Sequence, residues 1–167
     1  MFFLTPLEHT VYLHPRHCGT ELRTTLFRQL HEEVEGKCHG RWGFIICVHN
    51  IKEIGDGIVK QGTGLVSFHI KYDALTFHPF QNQVVDAIVT SVNNQGFWAD
   101  VGALSIFVKN MPSDFQYDGQ GAYVSADQTV KISIGNAVRI QIINYRIHPD
   151  GMSGVGSMAA DYLGKLG

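Results

Sequence analysis

Only one stretch of this chain carries a helical period. Leu22, Leu26, Phe27, Leu30 and Val34 follow one another at gaps of four, one, three and four residues. That spacing places them on one face of a helix over about residues 19–35. Gly36 then stands where a helix C-cap belongs. Elsewhere glycine, proline and asparagine cut the chain into short apolar or alternating runs, so strands must supply most of the fold. Glycine is 18 of 167 residues and charged residues are only 17%, against about 7% and about 25% in ordinary domains. Few charges and many glycines point to a β-rich chain with part of its surface covered by a partner.

The first 80 residues predict an α+β domain, one helix on an antiparallel sheet. Phe2–Thr5 and Thr10–Leu13 read as two short strands, ended by Pro6 and Pro15. Trp42–Val48 is apolar and reads as a buried strand. Gly55-Asp56-Gly57 and Gly62-Thr63-Gly64 read as turns, and Gly36–Gly43 as a turn-rich loop. Phe68, Ile70, Tyr72 and Ala74 alternate with Ser67, His69, Lys71 and Asp73, the period of a half-buried strand. The alternation slips at Leu75 and Phe77, which predicts a bulge. Glu32, Glu33 and Glu35 crowd the helix C-terminus, where the dipole disfavours acids. They mark either a solvated face or a contact with a basic partner.

His78-Pro79-Phe80 reads as the domain boundary, giving domains 1–80 and 81–167. The second domain reads as all-β. Strands are predicted at Val84–Val92, Phe97–Val101, Leu104–Val108, Thr129–Ile134 and Ala137–Ile147. Asn93-Asn94-Gln95-Gly96 is a turn whose asparagines and glycine can take positive φ. Residues 110–128 read as a long loop with a short helical turn after Pro112. The chain ends in a Gly- and Ser-rich tail from Met152. Five or more short strands in about 85 residues imply a small closed barrel.

Several chemistries are excluded. There is no GxGxxG, no Gly-Lys-Ser/Thr and no GxSxG. Residues 1–80 hold eight bases and eight acids, and residues 81–167 five bases and seven acids. Tight, charge-driven nucleic-acid binding is therefore disfavoured. Cys18, Cys38 and Cys47 include no CxxC pair, which argues against a disulfide framework and a four-cysteine zinc site and fits a reducing compartment. His14, His17 and Cys18, with His31, Cys38 and His39, come nearest to a metal set, but the zinc spacing is incomplete and they read as surface groups. Cys18 beside His17 and Cys38 beside His39 are adjacent and do not point the same way on a strand. No catalytic residue, metal or cofactor is expected. The longest purely apolar run is Phe44–Val48, too short to cross a membrane, and the chain reads as soluble and intracellular.

The barrel strands carry the functional signal. Phe97, Ala99 and Val101 share one face, while Trp98 and Asp100 share the other. On the next strand Phe107 and Lys109 share a face. If the first set fills the barrel, Trp98, Phe107 and Lys109 form a base-stacking platform with a phosphate contact, as single-strand binders do. The competing reading is that Trp98 packs against protein.

At this point the residues resemble a known family, the seventh subunits of eukaryotic RNA polymerase II, over essentially the whole chain. The resemblance rests on Met1-Phe2-Phe3, Leu13-His14-Pro15, Glu32-Glu33-Val34-Glu35-Gly36 and Gly40-Arg41-Trp42-Gly43. It continues through Phe77-His78-Pro79-Phe80, Val84-Val85-Asp86, Gly96-Phe97, Val101-Gly102, Phe107-Val108 and Met111-Pro112. Gly156-Ser157-Met158 and Asp161-Tyr162-Leu163-Gly164 close it. The resemblance implies an N-terminal ribonucleoprotein-like tip domain and a C-terminal OB-fold RNA-binding domain. It implies a non-catalytic nuclear stalk subunit that heterodimerises with the fourth subunit, docks on the polymerase core and touches nascent single-stranded RNA weakly. A role in transcription initiation and transcript handling follows from it. Core docking falls to Gly36, Lys37, Gly40, Arg41, Trp42, Gly62, Thr63 and Gly64, and RNA contact to Trp98, Asp100, Phe107 and Lys109. Two positions depart from the wider OB pattern: Gln95 stands where an aromatic is common, and Lys109 where a histidine is. The alternatives are a free-standing single-stranded RNA-binding OB protein, the paralogous stalk subunit of another polymerase, and a metal-dependent hydrolase.

Overall fold

The structure is a computed structural model and describes every residue of the chain except the side chain of Asn110. The chain divides into two compact units, Met1–His78 and Pro79–Gly167.

The first unit contains β1 (Phe2–Leu13), α1 (Leu22–Val34), β2 (Cys38–His39), β3 (Gly43–Ile54), β4 (Ile58–Val59) and β5 (Val66–Phe77). Its sheet runs β1-β5-β3-β2, with β4 paired to the start of β5, and every pair is antiparallel. Leu26, Leu30 and Val34 of α1 share one buried cluster with Leu7, Val11 and Leu13 of β1, Ile45 of β3 and Phe68, Ile70, Tyr72 and Ala74 of β5. The helical stripe and the β5 alternation are thus two sides of one core. Gly36 follows the helix with φ +71°, the left-handed geometry that ends a helix.

Three expectations are corrected. Pro6 does not end a strand, because β1 is continuous and pairs with β5 from Phe2 opposite Phe77 to Leu13 opposite Val66. The strand lies at the sheet edge, where a residue without an N–H costs no ladder bond. The slip at Leu75 is not a bulge in β5. Thr76 takes the inward position, 1% exposed, and its hydroxyl meets that of Thr5 at 3.0 Å, so a polar residue fills an apolar slot with its hydrogen bond made. The register shifts fall instead on β3, at Ile45/Cys47, Val48/Asn50 and Ile51/Glu53. The helix-terminal acids are also more than a solvated face. Glu33 accepts from Gln29 and pairs with His9 of β1, both at 2.8 Å. Glu35 pairs with His31 at 2.8 Å and accepts the Val48 backbone N–H at 2.8 Å. These contacts tie the helix end to two strands and leave only Glu32 exposed.

The second unit contains β6 (Val84–Asn93), β7 (Gly96–Val101), β8 (Leu104–Asn110), β9 (Phe115–Tyr117), β10 (Ala122–Ser125), β11 (Lys131–Ser133), β12 (Ala137–His148), β13 (Gly151–Ser157) and β14 (Gly164–Lys165). Strands β6, β7, β8, β13 and β12 pair in that order, and β12 returns to β6, so five strands close a barrel. The β8–β13 pair is parallel and the other barrel pairs are antiparallel. Phe97, Ala99, Ile106, Val108, Val138, Ile140 and Ile142 are all 0% exposed and fill the interior.

The strand that completes the barrel was read as tail. Gly154 and Gly156 are glycines of the wall: a Cβ on Gly156 would stand 2.8 Å from Ile106 Cγ2 and 3.2 Å from the Gln141 carbonyl oxygen. Their composition mimics a linker because small residues alone fit there. Residues 110–128 are likewise not a loop, since β9 and β10 form a small antiparallel sheet with β11. Pro112 begins a hydrogen-bonded turn, Phe115 N–H donating to its carbonyl at 3.2 Å, and no helix. In the β6–β7 turn only Gly96 has positive φ, at +156°, and a side chain there would collide with the Val108 carbonyl oxygen. The asparagines do not share that geometry. Asn93 instead accepts the Gln95 N–H at its Oδ1, 3.1 Å away.

Candidate nucleic-acid interface and docking loops

The barrel carries a surface groove of about 560 Å³. Trp98 of β7 and Phe107 of β8 face each other across the pair, with ring centroids 5.0 Å apart at 48°. Trp98 stands outside because Phe97 and Ala99 point in, and it keeps 38% of its surface exposed. The groove continues over Asn93 and Gln95 at the β6–β7 turn, Asn144, Tyr145 and Arg146 of β12 and Val155 of β13. Tyr123 of β10 steadies one end: its hydroxyl donates to the Asn93 carbonyl at 2.7 Å. Burial, helped by Tyr117, pushes its phenol pKa above the ordinary tyrosine value. The lining holds one cation, Arg146, and no carboxylate. Chemically this is an aromatic platform with a cation beside it, the combination that stacks bases and meets phosphate.

Of the four residues assigned to RNA, the structure brings Trp98 and Phe107 together in the groove. Asp100 accepts a hydrogen bond from Ser105 Oγ at 2.7 Å and does not line it. Lys109 is exposed and lies outside the lining. Tyr145 and Arg146 were missed. Val138, Ile140 and Ile142 alternate inward, but the register shifts between Ile142 and Asn144, so counting in twos past Ile142 turns Arg146 inward, the wrong face. Val155 was missed with its whole strand.

The eight docking residues separate into two groups. Gly36, Lys37, Gly40, Arg41 and Trp42 adjoin the start of β3, where Phe44 is paired with Phe77. Gly62, Thr63 and Gly64 join β4 to β5, where Val59 is paired with Val66. Val66 and Phe77 are the two ends of β5, eleven steps apart, or about 36 Å at ~3.3 Å per residue. The loops therefore do not form one tip. At the first end the Arg41 guanidinium lies 4.8 Å from the Trp42 ring centroid. At the second, Gly62 and Gly64 take φ +91° and +68°, Ile58 and Val59 are 68% and 63% exposed, and Lys60 lies 5.3 Å from the Tyr12 ring centroid.

No three His, Cys, Asp or Glu side chains converge as a metal set among the described residues. His14 Nδ1 accepts the Arg16 N–H, and His17 Nε2 accepts from Arg16 Nε at 2.9 Å. Cys18, Cys38 and Cys47 are not joined by a disulfide. Among the described residues no helix is long and apolar enough to cross a membrane.

Comparison with known proteins gives these features a class. Residues 8–64 match the family model described as "SHS2 domain found in N terminus of Rpb7p/Rpc25p/MJ0397". The whole chain is similar to DNA-directed RNA polymerase II subunit rpb7 of Dictyostelium discoideum, 45% identical with all of both chains covered. It is 33% identical to DNA-directed RNA polymerase II subunit RPB7 of Saccharomyces cerevisiae over 99% of this chain and 100% of that one. It is 24% identical to DNA-directed RNA polymerase subunit Rpo7 of Saccharolobus solfataricus over 99% and 96%. This chain belongs to the family of seventh subunits of DNA-directed RNA polymerase II.

Proposed function

We propose that this chain works as a non-catalytic stalk subunit of DNA-directed RNA polymerase II, acting in transcription in the nucleus. The observation that carries the reading is identity of 45% and 33%, over essentially full length, to two proteins named as that subunit. Residues 1–80 then form the ribonucleoprotein-like tip domain, a helix on an antiparallel sheet. Residues 81–167 form an OB-fold domain.

The Gly62-Thr63-Gly64 end of the first unit docks on the polymerase core. Open glycines allow close backbone approach, and exposed Ile58 and Val59 supply apolar contact beside them. The Gly36–Trp42 end, with Lys37, Arg41 and Trp42, is a second docking surface, separate from the first. The Trp98–Phe107 groove touches emerging single-stranded RNA. With one cation in the lining and a barrel half of net charge −2, that binding is salt-sensitive and in about the micromolar range or poorer.

Affinity purification of the tagged chain from its native cells tests the reading. Recovery of one small partner and the two very large polymerase subunits in equal amounts supports it. Recovery of the chain with RNA but without polymerase replaces it with a free-standing RNA-binding protein.

A further inference from the structure

We infer that the small sheet of β9, β10 and β11 braces the Trp98–Phe107 groove, with Tyr123 as the residue that positions its rim; this rests on the RNA reading of the same groove. The rim is the β6–β7 turn, where Asn93 and Gln95 line the groove. Asn93 pairs with Gly96, so the connection is the two residues Asn94 and Gln95. Neither takes positive φ. The primed turns that match the twist of a hairpin need positive φ at their first central residue. This turn is therefore of an unprimed type, which splays its strands. A rim built on it keeps one shape only if something outside the hairpin holds it.

The barrel wall does not reach that far. β12 pairs with β6 from Gln141 opposite Val84 to Ala137 opposite Ile88. Past Ile88 the strand runs on to the turn beside β7. The β11–β12 turn holds it at Val89, whose carbonyl accepts the Gly135 N–H at 2.8 Å and whose N–H donates to the Asn136 carbonyl at 3.0 Å. At the far end the Tyr123 hydroxyl donates to the Asn93 carbonyl at 2.7 Å. That hydroxyl sits on a fixed ring. Tyr123 is 4% exposed, lies opposite Ile132 of β11 and Tyr117 of β9, and packs its ring 5.6 Å from that of Tyr117. A buried phenol cannot follow the turn, so the Asn93 carbonyl stays where the hydroxyl stands. The brace thus sets where Asn93 and Gln95 meet a base stacked on Trp98 and Phe107. Tyr123→Phe keeps the packing and releases the turn.

Fluorescence anisotropy of the full-length chain with labelled oligo(U), beside amide hydrogen exchange, is the test. Tyr123→Phe should bind about 3- to 10-fold more weakly, the effect of roughly one net hydrogen bond. The Gln95 amide should exchange faster, while those of Phe97 and Ile140 in the barrel wall keep their protection. Tyr117→Phe, which removes the neighbouring hydroxyl and leaves the Asn93 contact, should bind as the parent does. Unchanged affinity in Tyr123→Phe, with binding lost in Trp98→Ala, overturns the brace and leaves the RNA reading standing. Weaker binding accompanied by equal loss of protection at Phe97 and Ile140 overturns it too, because the hydroxyl then serves the whole barrel and not the rim. No binding by the parent chain overturns the RNA reading and the brace with it.

Discussion

In the loops of the first unit the glycines at 36, 62 and 64 face open space at positive φ, whereas in the barrel wall of the second Gly96, Gly154 and Gly156 are hemmed in by neighbouring strands. Gly43 of the first unit is hemmed in likewise, and Gly119, Gly121 and Gly135 of the second lie open, so the contrast is between loop and sheet. The first group needs backbone freedom; the second needs the absence of a side chain. The architectures of the two units differ as well. The sheet of the first unit keeps Phe2 and Leu4 of its edge strand 58% and 57% exposed, and Ile58 and Val59 protrude at its other end. An open sheet with apolar ends suits a unit that others cover. The barrel closes on itself and brings Trp98 and Phe107 together in one groove, which suits a ligand that stacks, while Phe80 and Tyr162 are exposed outside it.

The sharpest way to break this comparison is to give each class of glycine a side chain. Gly96→Val should destabilise the second unit by at least about 3 kcal/mol, because the clash is with backbone and cannot relax. Gly62→Ala, in open space, should cost only about 1–2 kcal/mol for its left-handed conformation. Urea unfolding of both variants checks the pair. Leu30→Ala removes a fully buried side chain from the first core and should cost about 2–5 kcal/mol. Hydrogen exchange should show that loss in residues 1–78 and leave the barrel amides protected.

Trp98→Ala should weaken RNA binding roughly 10-fold, from a loss of about 1–3 kcal/mol per stacked base, with barrel stability nearly unchanged. Smallest is the Asp86–Arg139 pair, bidentate at 2.7 and 3.0 Å. The hydrogen bond from Arg139 holds the Asp86 carboxyl below the usual aspartate value. Its stabilisation is present above the unfolded carboxylate pKa and is lost as pH falls through the lower folded one. Arg139→Ala should return Asp86 to the ordinary range in an NMR titration, with a small loss of stability near neutral pH that vanishes in acid.

Periodicity made the two cores legible. The α1 stripe, the β5 alternation and the Phe97–Ala99–Val101 face all follow from residue spacing; the structure buries the first two in one cluster and the third inside the barrel. What escaped was wherever a residue's role depends on a neighbour distant in sequence. Pro6 is tolerable only because β1 lies at an edge, and Thr76 is buried only because Thr5 stands opposite. Gly154 and Gly156 look like a linker until β8 and β12 are placed beside them. The site divides along the same line. Trp98 and Phe107 are neighbours through one short turn, while Tyr145 and Arg146 reach the groove past a bulge. The two glycine loops looked like one tip because composition carries no distance.

The central claim is a division of labour, protein contacts through the first unit and RNA through the second. Photo-crosslinking in transcribing polymerase tests it most directly, with a benzoyl-phenylalanine placed at Thr63 in one chain and at Gln95 in another. The account predicts that position 63 captures a very large polymerase subunit and position 95 captures nascent RNA. Capture of RNA at position 63, or of protein alone at position 95, would contradict it.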